Sequence, residues 1–141
     1  MIVVDTSVAI KWLIKSEKES EIAYSLYKNH IDGIEKIIIP PLLFIEAANT
    51  LATKSNSTKK DAKTGLEFLF EANFEVYNIT LGDLVDAGVF AKKYKTSVYD
   101  MLYAVVAKNK KCILVTADEN FVKKTKFRHV KVLRELEKKV N

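Results

Sequence analysis

The sequence predicts an α/β fold with a central, mostly parallel β-sheet of about five strands flanked by helices. Short β-branched and aliphatic runs alternate along the chain with longer segments of helical periodicity. This alternation is typical of βα units, which build parallel sheets. Neither an internal repeat nor a linker rich in glycine or proline divides the 141 residues. We therefore expect one domain that spans residues 1–141.

Five short segments have the composition of strands. Each is rich in apolar residues and is bounded by turn or polar residues. In chain order, the predicted strands are Ile2 to Asp5, Lys36 to Ile39, Phe74 to Asn78, Cys112 to Thr116 and Val130 to Leu133. In α/β sheets, ligands bind beyond the carboxyl ends of such strands.

Helices are predicted between the strands. A Pro-Pro pair at positions 40–41 suits the start of a helix through Leu42 to Lys54, because proline is tolerated in a first turn. Thr58 and Thr80 are each followed three residues later by aspartate. This spacing is a variant of the capping box, so a helix is expected to begin after each threonine.

Composition narrows the possible chemistry. The single cysteine, Cys112, lies in an apolar run and is expected to be a small buried hydrophobe. His30 and His129 lie far apart and have no ligand-type neighbours, so we expect any bound metal to have oxygen ligands. The chain shows no basic leader and no run of about 20 apolar residues, which predicts a cytoplasmic protein without membrane insertion.

The net charge of +5 comes from 23 basic and 18 acidic residues. If several acids gather in one pocket, the remaining surface is more basic than this value indicates, which suits a polyanion. A lysine-rich surface that serves only solubility explains the same charge. Charge alone leaves both interpretations open.

Four carboxylates are candidates for a metal site. Three of them lie where an apolar segment begins or ends. Carboxylates that are brought together raise one another's pKa, so a cluster that stays charged at neutral pH usually holds a hard divalent cation. The four candidates are Asp5, Glu46, Asp100 and Asp118.

Asp5 also has a structural explanation. It directly precedes a predicted helix and could be its N-cap. Thr6 and Ser7 are good caps as well, which would leave the Asp5 carboxylate free for a ligand. Its position at the end of the first predicted strand favours a functional role.

Asp118 can have two roles at once. It follows the fourth predicted strand by a short turn and precedes a short helix. One carboxylate oxygen can cap that helix while the other faces a metal. Thr116 and Asn120 would supply neutral hydrogen bonds nearby.

The position of Asp100 suits a helix-capping residue and also a buried carboxylate that binds a metal. It follows Ser97 with the spacing of a capping box. The residues that share its helix face are Tyr103, Ala104 and Ala107. We therefore expect Asp100 to head a stripe that packs inward, where a carboxylate needs a compensating partner.

The role of Glu46 is open from sequence. Asn49, Thr50 and Thr53 lie on its side of the predicted helix. These polar residues form either a solvated helix face or one wall of a cleft. Spacing alone does not decide between the two.

Four ordered motifs resemble those of PIN-domain nucleases of the VapC toxin type. They extend from Val3 to Trp12, Pro41 to Glu46, Tyr99 to Ala104 and Leu114 to Phe121, so the resemblance covers the chain from end to end. It implies a PIN-like fold and a metal-dependent ribonuclease. The implied acidic quartet is Asp5, Glu46, Asp100 and Asp118, which would bind Mg²⁺ or Mn²⁺, with Thr6, Ser7 and Thr116 beside it.

The resemblance also implies partners. Such toxins act on RNA, commonly form homodimers, and are neutralised by a small antitoxin that inserts a segment into the cleft. Asn120 stands where some relatives carry a further acid. This departure leaves the presence of a second metal ion open.

Two other functions fit parts of the sequence. A Mg²⁺-dependent phosphohydrolase acting on small molecules would also use acids at strand ends. An aspartyl nucleophile of that kind requires a second acid two residues further on, whereas position 7 is serine. A non-catalytic binding module that pairs through apolar helices would keep its function without the four acids.

Overall fold

A five-stranded parallel β-sheet lies at the centre of the fold. The computed structural model describes residues 1–15, 17–54 and 56–139. Within these residues, the strands are β1 (Ile2–Val4), β2 (Ile37–Ile39), β3 (Glu75–Val76), β4 (Ile113–Thr116) and β5 (Val130–Val132). Their order in the sheet is β3-β2-β1-β4-β5, and all neighbours are parallel. All five predicted strands are confirmed, although each is somewhat shorter than predicted.

Seven α-helices flank the sheet in the described ranges. They are α1 (Thr6–Leu13), α2 (Ser20–Ile31), α3 (Leu42–Thr53), α4 (Lys59–Glu71), α5 (Leu81–Tyr94), α6 (Val98–Asn109) and α7 (Glu119–Thr125). A 3-10 helix, η1 (Leu133–Lys139), follows β5. No helix in the described parts of the chain is long and apolar enough to cross a membrane.

The helix starts follow the predicted local signals. Helix α3 begins after the Pro-Pro pair and ends one residue before the predicted end. At the starts of α4 and α5, Thr58 and Thr80 accept a hydrogen bond from the backbone N–H three residues on. The aspartate at that position accepts one from the threonine N–H in return. Both predicted capping boxes are therefore confirmed.

The carboxyl ends of β1 and β4 lie side by side. Val4, the last residue of β1, pairs with Val115 in β4. Because the strands are parallel, the residues that follow them, Asp5 and Asp118, emerge at the same edge of the sheet.

Helix α6 packs against the two strands that end at this edge of the sheet. Every residue from Met101 to Ala107 is buried, and the helix contacts both β1 and β4. Its first turn extends beyond the core, and that turn carries Asp100. Cys112, expected to be buried, is half-buried against the core.

Candidate active site

A cleft of about 510 Å³ opens at the carboxyl edge of the sheet. All four acids singled out from the sequence line it: Asp5, Glu46, Asp100 and Asp118. Thr6 and Ser7 line it as well. Among the residues that the structure describes, no lysine, arginine or histidine is part of the lining. The four carboxylates therefore share a cleft whose described lining has no basic side chain, and the nearby Lys124 lies in an adjoining cavity.

Asp5 is fixed at the end of β1 by three hydrogen bonds. Its Oδ1 accepts from the Val8 N–H at 3.3 Å and from the Ser7 hydroxyl at 2.5 Å. Its Oδ2 accepts from the Thr116 hydroxyl at 2.5 Å. Asp5 is thus the N-cap of α1. The expectation that Thr6 or Ser7 would cap this helix is wrong, because α1 begins at Thr6 and the extended residue before it takes the cap position.

Burial raises the pKa of the Asp5 carboxyl to about 6. The hydrogen bonds from Ser7 and Thr116 oppose this shift, and the nearby charge of Asp100 adds to it. Without a cation, the carboxyl therefore holds a proton over part of the range where aspartate is normally ionised. A bound cation would favour the ionised form.

The hydroxyls of Ser7 and Thr116 connect Asp5 to the loop after β4. The Ser7 Oγ accepts from the Ala117 N–H at 2.9 Å, and the Thr116 Oγ1 accepts from the Asp118 N–H at 3.0 Å. Each hydroxyl also donates to Asp5. These two side chains therefore fix the position of the Asp118 loop relative to Asp5.

Glu46 is held by two hydroxyl donors. Its Oε1 accepts from the Tyr103 hydroxyl at 2.6 Å and from the Thr6 hydroxyl at 3.0 Å. Tyr103 is 1% exposed. Burial, and then the neighbouring Glu46, raise the pKa of its phenol, so Tyr103 remains a proton donor. Helical periodicity predicts that Tyr103 shares the face of Asp100 but does not predict this contact with Glu46.

The polar side of α3 is a wall of the cleft. Asn49 and Thr50 line the cleft together with Glu46. The opposite side of α3 is buried at Leu43 and Ala47. Of the two interpretations that the sequence left open, the structure supports the cleft wall for these three residues. Thr53, which shares their helix side, lies outside the lining.

Asp100 is exposed at the start of α6, so the expectation that it packs inward is wrong. The residues on its face, including Tyr103 and Ala104, are buried as expected, but the first turn lies past the edge of the core. The Asp100 N–H donates to the Ser97 hydroxyl at 3.0 Å. Partial desolvation raises the pKa of the Asp100 carboxyl, and the charge of Asp118 raises it further.

Asp118 is the N-cap of α7, as the sequence indicates. Its Oδ1 accepts from the Phe121 N–H at 3.0 Å. The same side chain lines the acidic cleft and a smaller adjoining cavity. Asn120 is exposed and lines the adjoining cavity, whereas it is not part of the cleft lining.

The donor set suits a hard, hydrated cation. Oxygen ligands of this kind are preferred by Mg²⁺ and Mn²⁺. In the described part of the chain, no group of three or more His, Cys, Asp or Glu side chains is arranged to hold a metal ion directly. Mg²⁺ usually keeps several waters and needs few direct protein contacts.

Residues 2–127 match the PIN domain family, and the chain belongs to this family. The fold is similar to that of PAE2754 from Pyrobaculum aerophilum, with 23% identity, a TM-score of 0.72, and coverage of 96% of this chain and 92% of that one. It is also similar to VapC20 from Mycobacterium tuberculosis, a toxin that cleaves the sarcin-ricin loop, with 14% identity, a TM-score of 0.70, and coverage of 89% and 95%.

A third solved structure has a similar fold. VapBC2 from Rickettsia felis, bound to a DNA fragment from its promoter, matches with 14% identity, a TM-score of 0.68, and coverage of 94% of this chain and 98% of that one. At such identities, the likeness establishes the fold. No curated protein matches the sequence. The predicted resemblance to PIN-domain proteins is confirmed.

Proposed function

We propose that this protein is a metal-dependent endoribonuclease and the toxin of a toxin–antitoxin pair. The observation that carries the proposal is the convergence of Asp5, Glu46, Asp100 and Asp118 in one cleft that lacks basic side chains in its described lining. Membership of the PIN domain family and the fold likeness to VapC20 support it. The whole chain has a net charge of +5, so the surface outside the acidic cleft is more basic than this value, which favours a polyanionic substrate over a small molecule.

The four acids have different proposed roles. Asp5, Asp100 and Asp118 would hold Mg²⁺ or Mn²⁺ directly or through water. When bound, such an ion supplies an activated water and stabilises charge on the phosphate oxygens. Glu46, on the α3 wall, would be a further ligand of the ion or would orient the attacking water. Its carboxylate is already fixed for this by Tyr103 and Thr6.

RNA cleavage in the presence and absence of metal tests the proposal. The purified protein is incubated with a mixed pool of structured RNA and Mg²⁺ or Mn²⁺. We expect cleavage that stops when the metal is chelated and returns when metal is added back. Cleavage that continues after chelation would contradict the proposed mechanism. Hydrolysis of p-nitrophenyl phosphate in preference to RNA would indicate a small-molecule phosphohydrolase.

Tyr103→Phe is expected to slow cleavage by roughly 10- to 100-fold, as loss of a supporting partner in a metal site typically does. The substitution keeps the buried ring and removes the hydroxyl that donates to Glu46 at 2.6 Å. The measurement is the initial cleavage rate at saturating metal. Tyr24→Phe is the matched control, because Tyr24 is exposed on α2. An unchanged rate in Tyr103→Phe would show that Glu46 needs no such positioning.

A small antitoxin is the proposed physiological partner, and we propose that the protein works in the cytoplasm as a homodimer. The fold likeness to the VapBC2 complex supports an antitoxin. Helix α5 exposes Leu81, Val85 and Val89 at 79%, 55% and 61%, respectively. Exposed apolar surface of this kind often marks a protein interface, which supports self-association.

A further inference from the structure

A second cavity, of about 310 Å³, lies between α5, α6 and the segment before β5. We call it the aromatic pocket and define it by Phe90, Tyr94 and Phe127, with Lys108 and Arg128 at its rim. None of these residues lines the acidic cleft. Its volume lies at the lower end of the range for small-ligand pockets, which suits one planar ring system.

The three rings form a corner. The ring centroids of Tyr94 and Phe127 are 5.1 Å apart with an interplanar angle of 80°. Those of Phe90 and Phe127 are 6.2 Å apart at 75°. All three rings are half-buried, so part of each remains accessible. Partly exposed aromatic rings are the surfaces on which proteins stack unpaired bases.

The charge of the aromatic pocket differs from that of the acidic cleft. Lys108 Nζ lies 5.5 Å from the Phe90 ring centroid, and Arg128 is exposed. Lys93 Nζ lies 5.2 Å from the Tyr94 centroid. No aspartate or glutamate is part of the described lining. Rings bordered by cations suit a base whose flanking phosphates need positive charge.

A smaller cavity adjoins the acidic cleft. Asp100 and Asp118 line this cavity as well as the acidic cleft, and Lys95 and Lys124 belong to its lining. The chain connects it directly to the aromatic pocket, because Lys95 follows Tyr94. Nucleic acid leaving the acids along this surface would meet lysines first and aromatic rings next.

We propose that the aromatic pocket binds one unstacked nucleobase of the RNA, a short distance along the strand from the scissile phosphate. This inference rests on the proposed ribonuclease function and adds a site that selects unpaired RNA beside the cut. Single-stranded or looped RNA enters the pocket, whereas a fully paired duplex, whose bases are stacked, does not.

RNA binding without cleavage tests the pocket. Fluorescence anisotropy with a labelled single-stranded RNA decamer is measured in EDTA for wild type, Tyr94→Leu and Phe90→Leu. Leucine keeps apolar volume and removes the stacking face. We expect each variant to bind roughly 5- to 100-fold more weakly, as loss of one base–aromatic stack typically causes. Phe70→Leu is the control, since Phe70 is an exposed aromatic residue outside both cavities.

A charge substitution provides a second test that keeps all three aromatic side chains. Lys108 is exposed, so Lys108→Glu is expected to fold, to weaken binding and to reduce its salt dependence. Lys59→Glu on α4 is its control. If Lys108→Glu and folded Tyr94→Leu both bind RNA with the affinity of wild type, the proposal that the aromatic pocket binds a nucleobase is wrong, even if metal-dependent cleavage is found. Loss of RNA binding in these variants, in a protein that does not cleave RNA, would support the pocket and reject the nuclease.

Discussion

Asp5→Asn is expected to reduce RNA cleavage by more than the roughly 100-fold that loss of a supporting residue can cost in a metal site. Asp5 lies at the end of the central strand, and its half-buried carboxylate lies near Asp100. A neutral amide at this position removes a full charge from the proposed metal site while keeping the shape of the side chain. The measurement is the initial cleavage rate with Mg²⁺ and labelled RNA.

The control for this substitution is Asp86→Asn. Asp86 is exposed on α5 and lies outside the acidic cleft, so the cleavage rate of Asp86→Asn is expected to equal that of wild type. Both variants are compared at equal folded fraction, measured by circular dichroism. Cleavage by folded Asp5→Asn at a rate close to wild type would remove Asp5 from the proposed mechanism.

The same variant is expected to change how stability depends on pH. Burial raises the pKa of Asp5 from an ordinary value of 3.8 to about 6. Between these two values, the folded state retains a proton that the unfolded state has released. The free energy of unfolding of the metal-free protein therefore falls as the pH rises through this window. Asp5→Asn lacks this contribution.

The free energy of unfolding of Asp5→Asn, relative to wild type, should rise by about 2 kcal/mol between about pH 4 and about pH 7. Urea denaturation in EDTA at several pH values measures this difference. The raised pKa of Asp100 affects both proteins and largely cancels. A difference that stays constant across this range would show that the Asp5 pKa is not raised.

These two expectations together describe a site that costs stability when no cation is bound. Asp5 accepts three hydrogen bonds, yet desolvation still outweighs them in its pKa. Binding of a divalent ion to the folded state alone would return that stability. A stability cost of this kind at a functional site is common in enzymes, because the residues are arranged to bind a ligand and not to stabilise the ligand-free protein.

The fold could be predicted where the signals are local. The strands follow from short apolar runs, and the starts of α4 and α5 follow from capping residues three positions apart. The ends of α5 and α7 could not be predicted in this way. Each is followed by a lysine with positive φ, Lys95 at 56° and Lys126 at 53°. Glycine is the usual residue there, so the sequence contains no termination signal of that kind.

The acids of the candidate site could be identified from the sequence because they interrupt or border apolar segments. Their burial and their hydrogen-bond partners could not be predicted in this way. Periodicity places Asp100 on an inward face but does not show that the first turn of α6 passes beyond the core. The contact of Tyr103 with Glu46 joins residues that are 57 positions apart, and no local pattern reports such a pairing.

Metal binding and RNA cleavage measured on the same preparations test most directly whether the four acids form one catalytic metal site. Mn²⁺ is titrated by calorimetry into wild type, Asp100→Asn and Asp86→Asn, and each protein is then assayed with the RNA pool. We expect wild type and Asp86→Asn to bind Mn²⁺ and to cleave, and Asp100→Asn to lose both. Cleavage and Mn²⁺ affinity unchanged in Asp100→Asn would contradict the proposed site.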